Sequence, residues 1–292
     1  MTAPPAAARV AVVIVNYHSY EDLHDCLASL GAPDPAFAIC VVDHASKPEA
    51  ADAIARAFPH VTLLRQPGNE GFAAGVNRGA RDTRAPYILL LNPDCVASPD
   101  MCGRLAAWMD GHPAVGVAGP RILNSDGTVQ ASARRFPDLT TGIAGRSSWL
   151  TRVFPRNPLS RHNLAPSHDS SSRPRQVDWV SGAVMIIRRE AFEAVGGFDA
   201  GFFLYWEDAD FCRRLQHAGW QTMYVPELAV RHAGGRSSRH AADASLVAFH
   251  RSAFRLFWKH SNPAAKLLAP LVIAALRARL AFMRRVVRSR GH

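Results

Sequence analysis

Residues Val10 to Val15 read Val-Ala-Val-Val-Ile-Val and run straight into the polar pair Asn16-Tyr17. A short, continuous apolar run rich in β-branched side chains describes a strand covered on both faces, as in a parallel sheet. The pattern recurs. Phe37–Val42, Val61–Arg65, Tyr87–Leu91 and Val115–Gly119 read as further strands. Between them Tyr20–Leu30, Glu49–Phe58, Gly75–Asp82 and Met101–Asp110 carry apolar residues at helical spacing. Strand and helix alternating at this interval predict a doubly wound α/β sheet. The chain has 292 residues, 48% hydrophobic and 20% charged. That suffices for a large core and excludes a disordered, collagen-like or disulfide-scaffold protein.

Beyond residue 120 the pattern weakens. Pro155 to Arg175 is crowded with Pro, Ser, His, Asn and Arg and reads as a long loop. Order resumes with a strand over Ser181–Ile187, helices over Glu190–Val195 and Asp208–Ala218, and a strand over Gln221–Val225. From Ala241 onward the pattern is helical, with breaks expected at Pro263 and Pro270. The expected organisation is a catalytic domain over 1–240 and a helical, basic, amphipathic extension over 241–292. Within the first, 9–120 would hold a nucleotide and 121–240 an acceptor, with a mobile loop at 155–175.

Charge is distributed unevenly. The net charge is +10, from 34 Lys and Arg against 24 Asp and Glu. No acidic residue follows Asp243, whereas ten basic residues do, from Arg251 to Arg290, so residues 1–243 are neutral. An acid-free tail mixing arginines with leucines fits an anionic membrane surface. The same segment also fits a helix packed on the protein or on a second subunit. Nucleic acid is excluded, because no basic stretch carries interleaved aromatics in a defined motif. No run reaches the ~18 apolar residues that a membrane span needs, and the first residues lack the pattern of a signal peptide. The five cysteines are odd in number and have no C-x-x-C spacing, which fits reduced thiols in a cytoplasmic protein.

In open α/β sheets ligands bind beyond the carboxyl ends of the strands. Each early strand here is followed by short polar residues: Asn16-Tyr17, Asp43-His44, Asn69-Glu70-Gly71-Phe72, and Asn92-Pro93-Asp94. They would share one rim. Neither the dinucleotide loop G-x-G-x-x-G nor the phosphate loop G-x-x-x-x-G-K-[ST] follows the first strand.

These segments, together with Asn77 and the later Phe203-Leu204-Tyr205-Trp206-Glu207-Asp208-Ala209-Asp210, resemble the family 2 glycosyltransferases of the GT-A fold. The rhamnosyltransferase-like branch of cell-envelope glycan assembly is the nearest. The resemblance covers roughly Arg9 to Ser238. It implies an inverting transfer of a sugar, best matched to rhamnose from dTDP-rhamnose, onto a lipid-linked or polysaccharide acceptor. The protein would then lie peripherally on the inner face of the plasma membrane. The other reading is a catalytically inactive nucleotide-sugar-binding or assembly protein on the same fold.

By the same resemblance, Asn16, Asp43, Asn69, Gly71, Phe72 and Asn77 form the nucleotide-sugar pocket, and Arg236 in a Gly-Gly-Arg-Ser stretch faces the diphosphate. Asp94 and His232 would hold a divalent Mg²⁺ or Mn²⁺. The family's metal motif is often Asp-x-Asp, and Asn92 replaces its first member. Asp208 matches the base that takes the acceptor's proton, with Glu207 beside it. Asp208 would equally suit a helix cap, and Asp210 would suit either the acceptor site or an i,i+4 pair with Arg214. Trp179 and Gly182 are candidates for contact with the acceptor sugar, Trp179 fitting the core as well. Arg134 and Arg135 suit either a phosphate contact or a solvated turn.

Overall fold

The computed structural model describes residues 8–137, 173–233 and 242–290. The first half alternates as its periodicity requires. Strand β1 (Val10–Asn16) leads to helix α1 (Tyr20–Ser29), β2 (Phe37–Asp43) to α2 (Pro48–Ala57), and β3 (Thr62–Arg65) to α3 (Phe72–Arg81). Then come β4 (Tyr87–Leu91), the short β5 (Cys95–Val96), α4 (Met101–Asp110) and β6 (Val115–Leu123). The second half holds β7 (Ala133–Arg134), β8 (Arg175–Gln176), β9 (Trp179–Val180), β10 (Val184–Arg188), α5 (Arg189–Ala194), α6 (Glu207–His217) and β11 (Gln221–His232). Three helices close the chain: α7 (Ala242–His260), α8 (Pro263–Lys266) and α9 (Ala269–Arg290). Pro263 and Pro270 each fall in the first turn of a helix, where the missing N–H costs nothing.

Among the described residues the main sheet has nine strands in the order β3-β2-β1-β4-β10-β6-β11-β5, with β8 paired to β11. Strands β1 to β4 are mutually parallel. The sheet is mixed, and at its middle β10 runs antiparallel to both β4 and β6. The physical reason is the direction of entry. Val184 pairs with Leu91, the last residue of β4. The chain therefore enters β10 from the carboxyl rim and needs no helical crossover. The segment just before β10, Ser181-Gly182-Ala183, is thereby delivered to the rim that carries Asn16, Asp43 and Asn92.

Side chains of β1 alternate between two cores. Val10, Val12 and Ile14 pack with Leu23, Leu27, Ile54 and Leu105 on one face. Val13 packs with Val76, Ile187, Phe192 and Phe211 on the other. Each such buried side chain contributes about 1.5–3 kcal/mol. Helix α3 lies unusually close to β1. A Cβ on Gly79 would stand 2.6 Å from Val13, and one on Gly75 would stand 2.8 Å from Val15 and from His44 Nε2.

The C-terminal helices are integral to this body. Leu256 of α7 is buried in the second core. Asp199 receives Arg255 and Lys259, at 2.9 and 2.7 Å, and Ser252 donates to the carbonyl of Leu204 at 2.9 Å. Helix α9 is tied to α7 through Arg284 and Asp243 at 2.6 Å and through Arg279 and His250 at 2.9 Å. The acid-free tail thus spends several of its charges internally. No described helix is long and apolar enough to cross a membrane. The expected loop over 155–175 lies outside the described residues except for Arg173–Arg175. All five cysteines are buried free thiols.

Candidate active site

Pairing of β1 with β2 places Asn16 beside Asp43 in the last register of the two strands. Both side chains are fully buried. Asn16 Nδ2 donates to Asp43 Oδ1 at 2.7 Å, and the Tyr20 hydroxyl donates to Oδ2 at 2.9 Å. That hydroxyl in turn accepts from Lys47 N at 2.8 Å. Tyr20, read from sequence only as part of a helix, therefore belongs to the support of Asp43. Each carboxylate oxygen keeps a second lone pair for a ligand. Above them Tyr17 is exposed and stacks on His18, with centroids 4.4 Å apart. It is an aromatic face at the mouth to which the sequence reading gave no role.

The next loop is built by its own side chain. Asn69 Oδ1 accepts from Gly71 N at 2.9 Å, an Asx turn. Gly71 has φ +90, and a Cβ there would meet Phe203 O at 2.5 Å. Phe72 N donates to that same carbonyl at 2.8 Å. The loop is thereby locked to the segment that leads into α6. Asn77 departs from expectation. Its amide donates to Phe198 O at 2.7 Å and accepts from Phe198 N at 2.9 Å. A side chain closed on both ends of one peptide is a clamp between the two halves and does not line the donor pocket.

At the centre of the rim, β5 zips onto the end of β11, with His232 opposite Cys95. This brings His232 Nε2 to 3.1 Å from Asp94 Oδ1. Asn92 Nδ2 lies 3.4 Å from the same nitrogen, and His232 Nδ1 lies 3.0 Å from Gln130 Oε1. Asn92, placed on the rim by the sequence, thus stands beside the pair, whereas Gln130 is a site residue that the sequence reading missed, since no signal for it existed in the chain. Adjacent ligands of an octahedral ion with bonds of about 2.1 Å stand roughly 3.0 Å apart. The Asp94–His232 spacing therefore fits a divalent cation. The Cys95 sulfur is close by, but its thiol lies 3.6 Å from the carbonyl of Ala183, and burial pushes its pKa well above the usual range. With that thiol turned toward the carbonyl, Asp94 and His232 offer one carboxylate and one imidazole. Arg236 lies outside the described residues.

Beside Gly182 on the same rim is the start of α6. Tyr205 and Trp206 both adopt φ +68, two consecutive non-glycine residues in the left-handed region. Such conformations cost about 1–2 kcal/mol per residue and persist where surrounding packing imposes them. Here α7 imposes them: Phe249 packs on Tyr205 and Trp206, with centroids 5.7 and 5.3 Å away.

The turn presents Glu207 and Asp208. Asp208 Oδ2 accepts from Gly182 N at 3.1 Å, and Oδ1 accepts from Ala209 N at 2.8 Å. Burial raises the Asp208 carboxyl, opposed by these two N–H groups and by the charge of Arg134. Glu207 is pushed much further up, by burial first and by the Asp208 charge second. Its Oε2 is buried with no hydrogen-bond partner among the described residues. Two N–H donors and Arg134 favour the charge on Asp208, and Glu207, whose Oε2 has no such partner, is the member more readily protonated. A Cβ on Gly182 would sit 3.4 Å from Phe72 and 3.6 Å from Asp208. The Asn69–Phe72 loop, the strand-entry glycine and the Asp208 carboxylate therefore converge.

Two residues expected at the acceptor are engaged elsewhere. Asp210 is fully buried and receives Arg214 at 2.8 Å, Lys259 at 2.8 Å and His260 at 2.7 Å. The i,i+4 pair is present, within a larger clasp onto α7. Trp179 is buried, donates Nε1 to Arg135 O at 2.8 Å and carries Arg134 over its ring at 4.9 Å. Its face is covered, so it serves the core and is not available for stacking on a sugar. Arg134 stands between that ring and Asp208.

Comparison with known proteins gives a consistent picture. The model of the family described as "Glycosyl transferase family 2" matches residues 11–196, and one described as "N-terminal domain of galactosyltransferase" matches residues 165–235. The chain is 34% identical, over 83% of its length and 82% of the relative's, to an N-acetylglucosaminyl-diphospho-decaprenol L-rhamnosyltransferase of Mycobacterium tuberculosis. It is 38% identical to the rhamnosyltransferase WbbL of Escherichia coli K12, over 84% of this chain and 91% of that one. Among solved structures it resembles the mannosyltransferase PcManGT of Pyrobaculum calidifontis in complex with GDP-Man and Mn²⁺. The TM-score is 0.55 at 18% identity, covering 97% of this chain and 80% of that one. It also resembles GalNAc-T7 with UDP, GalNAc and Mn²⁺, with a TM-score of 0.56 at 15% identity over 77% of this chain and 44% of that one. The sheet, with its antiparallel strand entering from the site rim, has the GT-A fold.

Proposed function

The chain belongs to glycosyl transferase family 2, and we propose that it transfers rhamnose, with inversion, from a nucleotide diphosphate to a lipid-linked or polysaccharide acceptor of the cell envelope. The transferred sugar and acceptor class are supported by the names of its two rhamnosyltransferase relatives. The observation that carries the chemistry is the pairing of two devices on one rim. The Asp94–His232 pair is spaced for a cation, and an anionic Asp208 is held by the Gly182 N–H opposite the donor loop.

In this reading Asn16, Asp43 and the Asn69–Phe72 loop hold the nucleoside. Asp208 accepts the proton of the acceptor hydroxyl as that oxygen attacks the anomeric carbon. The bond from that carbon to the diphosphate breaks, and its electron pair leaves with the diphosphate. A divalent cation on Asp94 and His232 supplies charge neutralisation of the leaving group when bound. A mixed carboxylate and imidazole set suits Mn²⁺ better than the oxygen-seeking Mg²⁺. Glu207, neutral beside Asp208, keeps the base from facing a second charge.

The same reading places the enzyme on the cytoplasmic face of an anionic membrane. Trp258, Leu267, Leu271 and Phe282 are exposed on α7 to α9, and Arg251, Arg277 and Arg285 form no ion pair among the described residues. Apolar side chains and unspent positive charge on one end of the molecule suit an anionic leaflet.

The test is Asp208→Asn. The amide preserves shape and cannot take the proton, so turnover should fall about 10²–10⁴-fold, with nucleotide diphosphate binding by calorimetry kept within a few-fold. Near-full turnover would reduce Asp208 to a structural residue and move the base elsewhere.

A further inference from the structure

Gln130 has no place in the resemblance that identified the other site residues, yet it makes two hydrogen bonds to a single residue. Its Nε2 donates to the backbone carbonyl of His232 at 2.9 Å, and its Oε1 faces His232 Nδ1 at 3.0 Å. A carbonyl oxygen only accepts, so it fixes which end of the amide faces it. The amide oxygen is then left toward Nδ1, and that nitrogen must carry the ring's proton. In the neutral ring, the form that can bind a cation, Nε2 then presents its lone pair. That lone pair points at Asp94 Oδ1, 3.1 Å away, with Asn92 Nδ2 at 3.4 Å. Two electron-rich atoms in contact form a cradle that a cation completes.

The local fold explains how residue 130 reaches this place. Beyond β6 the chain reverses through Asn124-Ser125-Asp126-Gly127-Thr128, with Gly127 at φ +82. Asn124 N donates to Thr128 O at 2.8 Å, and the Asp126 carboxylate accepts from Thr128 N at 2.9 Å. The returning strand bonds Gln130 N to Ile122 O at 2.8 Å. Ile122 is the sheet partner of Val230, two residues before His232. The hairpin therefore carries Gln130 over the end of β11 at a fixed height.

We propose that Gln130 is a positioning residue that holds His232 in its Nδ1–H tautomer, keeping the Nε2 lone pair aimed at the cation shared with Asp94. The proposal rests on the reading of Asp94 and His232 as the cation site. Groups that orient a ligating imidazole through its other nitrogen typically govern metal affinity by 10–100-fold.

The experiment uses the full chain at fixed pH and compares the parent with Gln130→Met, which keeps size and loses both hydrogen bonds, and Gln130→Glu, which keeps an acceptor for Nδ1–H. Two readouts are taken. The first is the ¹⁵N imidazole spectrum of the metal-free protein, with His232 assigned by its loss in His232→Asn. The second is Mn²⁺ affinity, by electron paramagnetic resonance, with thymidine diphosphate present. The parent should show a protonated Nδ1 and a bare Nε2. Gln130→Met should mix the tautomers and weaken Mn²⁺ roughly 10-fold or more, and Gln130→Glu should restore most of both. If Gln130→Met keeps the tautomer, or keeps the affinity within two-fold while His232→Asn loses it, the proposal is overturned. If His232→Asn itself leaves Mn²⁺ binding intact, the cation site is elsewhere and the proposal falls with it, while the imidazole spectrum still reports whether Gln130 sets the tautomer.

Discussion

Replacing Asp210 by Asn should unfold this enzyme more readily although the substitution lies outside the rim. The carboxylate is fully buried and accepts from His260 at 2.7 Å and from Lys259 and Arg214 at 2.8 Å. Burial alone would raise its pKa. The hydrogen bonds from His260 and Lys259, with the Arg214 charge, outweigh it and bring the group from 3.8 to about 2. A fall of that size corresponds to about 2.5 kcal/mol of stability at neutral pH. Asn also leaves Lys259, Arg214 and His260 short of their acceptor, and breaking a buried pair costs about 3–5 kcal/mol. Lys259 and Arg214 are partly solvated and recover some of this, so the net loss should be about 2–4 kcal/mol. The assay is urea unfolding of parent and variant from pH 7 to pH 2. A depressed carboxyl contributes stability above its unfolded pKa and loses it as pH falls through the folded value. The gap between the two proteins should therefore be full above about pH 4 and close toward pH 2. A gap under about 0.5 kcal/mol at pH 7, the usual range of a surface substitution, would refute the clasp. So would a gap that ignores pH.

Gly71→Ala should cost about 2 kcal/mol or more, since a side chain at φ +90 is strained and its Cβ meets the backbone of Phe203 at 2.5 Å; denaturation together with nucleotide titration would show both stability and donor affinity falling. Glu207→Gln should leave stability unchanged near pH 4 and raise it relative to the parent as pH climbs. The buried acid has a raised pKa, so the folded state alone resists ionisation there; thermal melts across pH would expose a wrong sign. Truncation after Pro263 removes α8 and α9 and retains α7. It should abolish flotation with anionic liposomes at low salt while nucleotide binding persists, each basic residue contributing about 1 kcal/mol at such a surface; a full-length protein that never floats even at low salt would sink the membrane reading.

The strands and their polar endings were legible because β-branched runs and the short polar residues behind them are local properties. The Asp94–His232 pair and Glu207-Asp208 could be named because a motif resemblance singled them out. What sequence could not supply was direction and partner. The reversal of β10 depends on where the chain re-enters the sheet, which no periodicity records. Asn77, Trp179 and Asp210 carry the right chemistry for a sugar site, yet each is consumed by a group far away in the chain: Phe198, Arg135 and His260. Gln130 is invisible for the same reason, since its importance lies in a residue 102 positions later. The tail looked like a free basic appendage because net charge does not show that Arg255, Lys259 and Arg284 meet Asp199, Asp210 and Asp243.

The two left-handed residues before Glu207 have a temporal consequence. Their conformation is held by Phe249 and by Ser252 through Leu204, and both belong to a helix synthesised after the whole sheet. Residues up to His232 supply the described parts of the rim, but the turn that aims Asp208 has this support only once residues 242–260 have packed against it. Docking of α7, rather than formation of the rim, is the event that fixes the turn before Asp208.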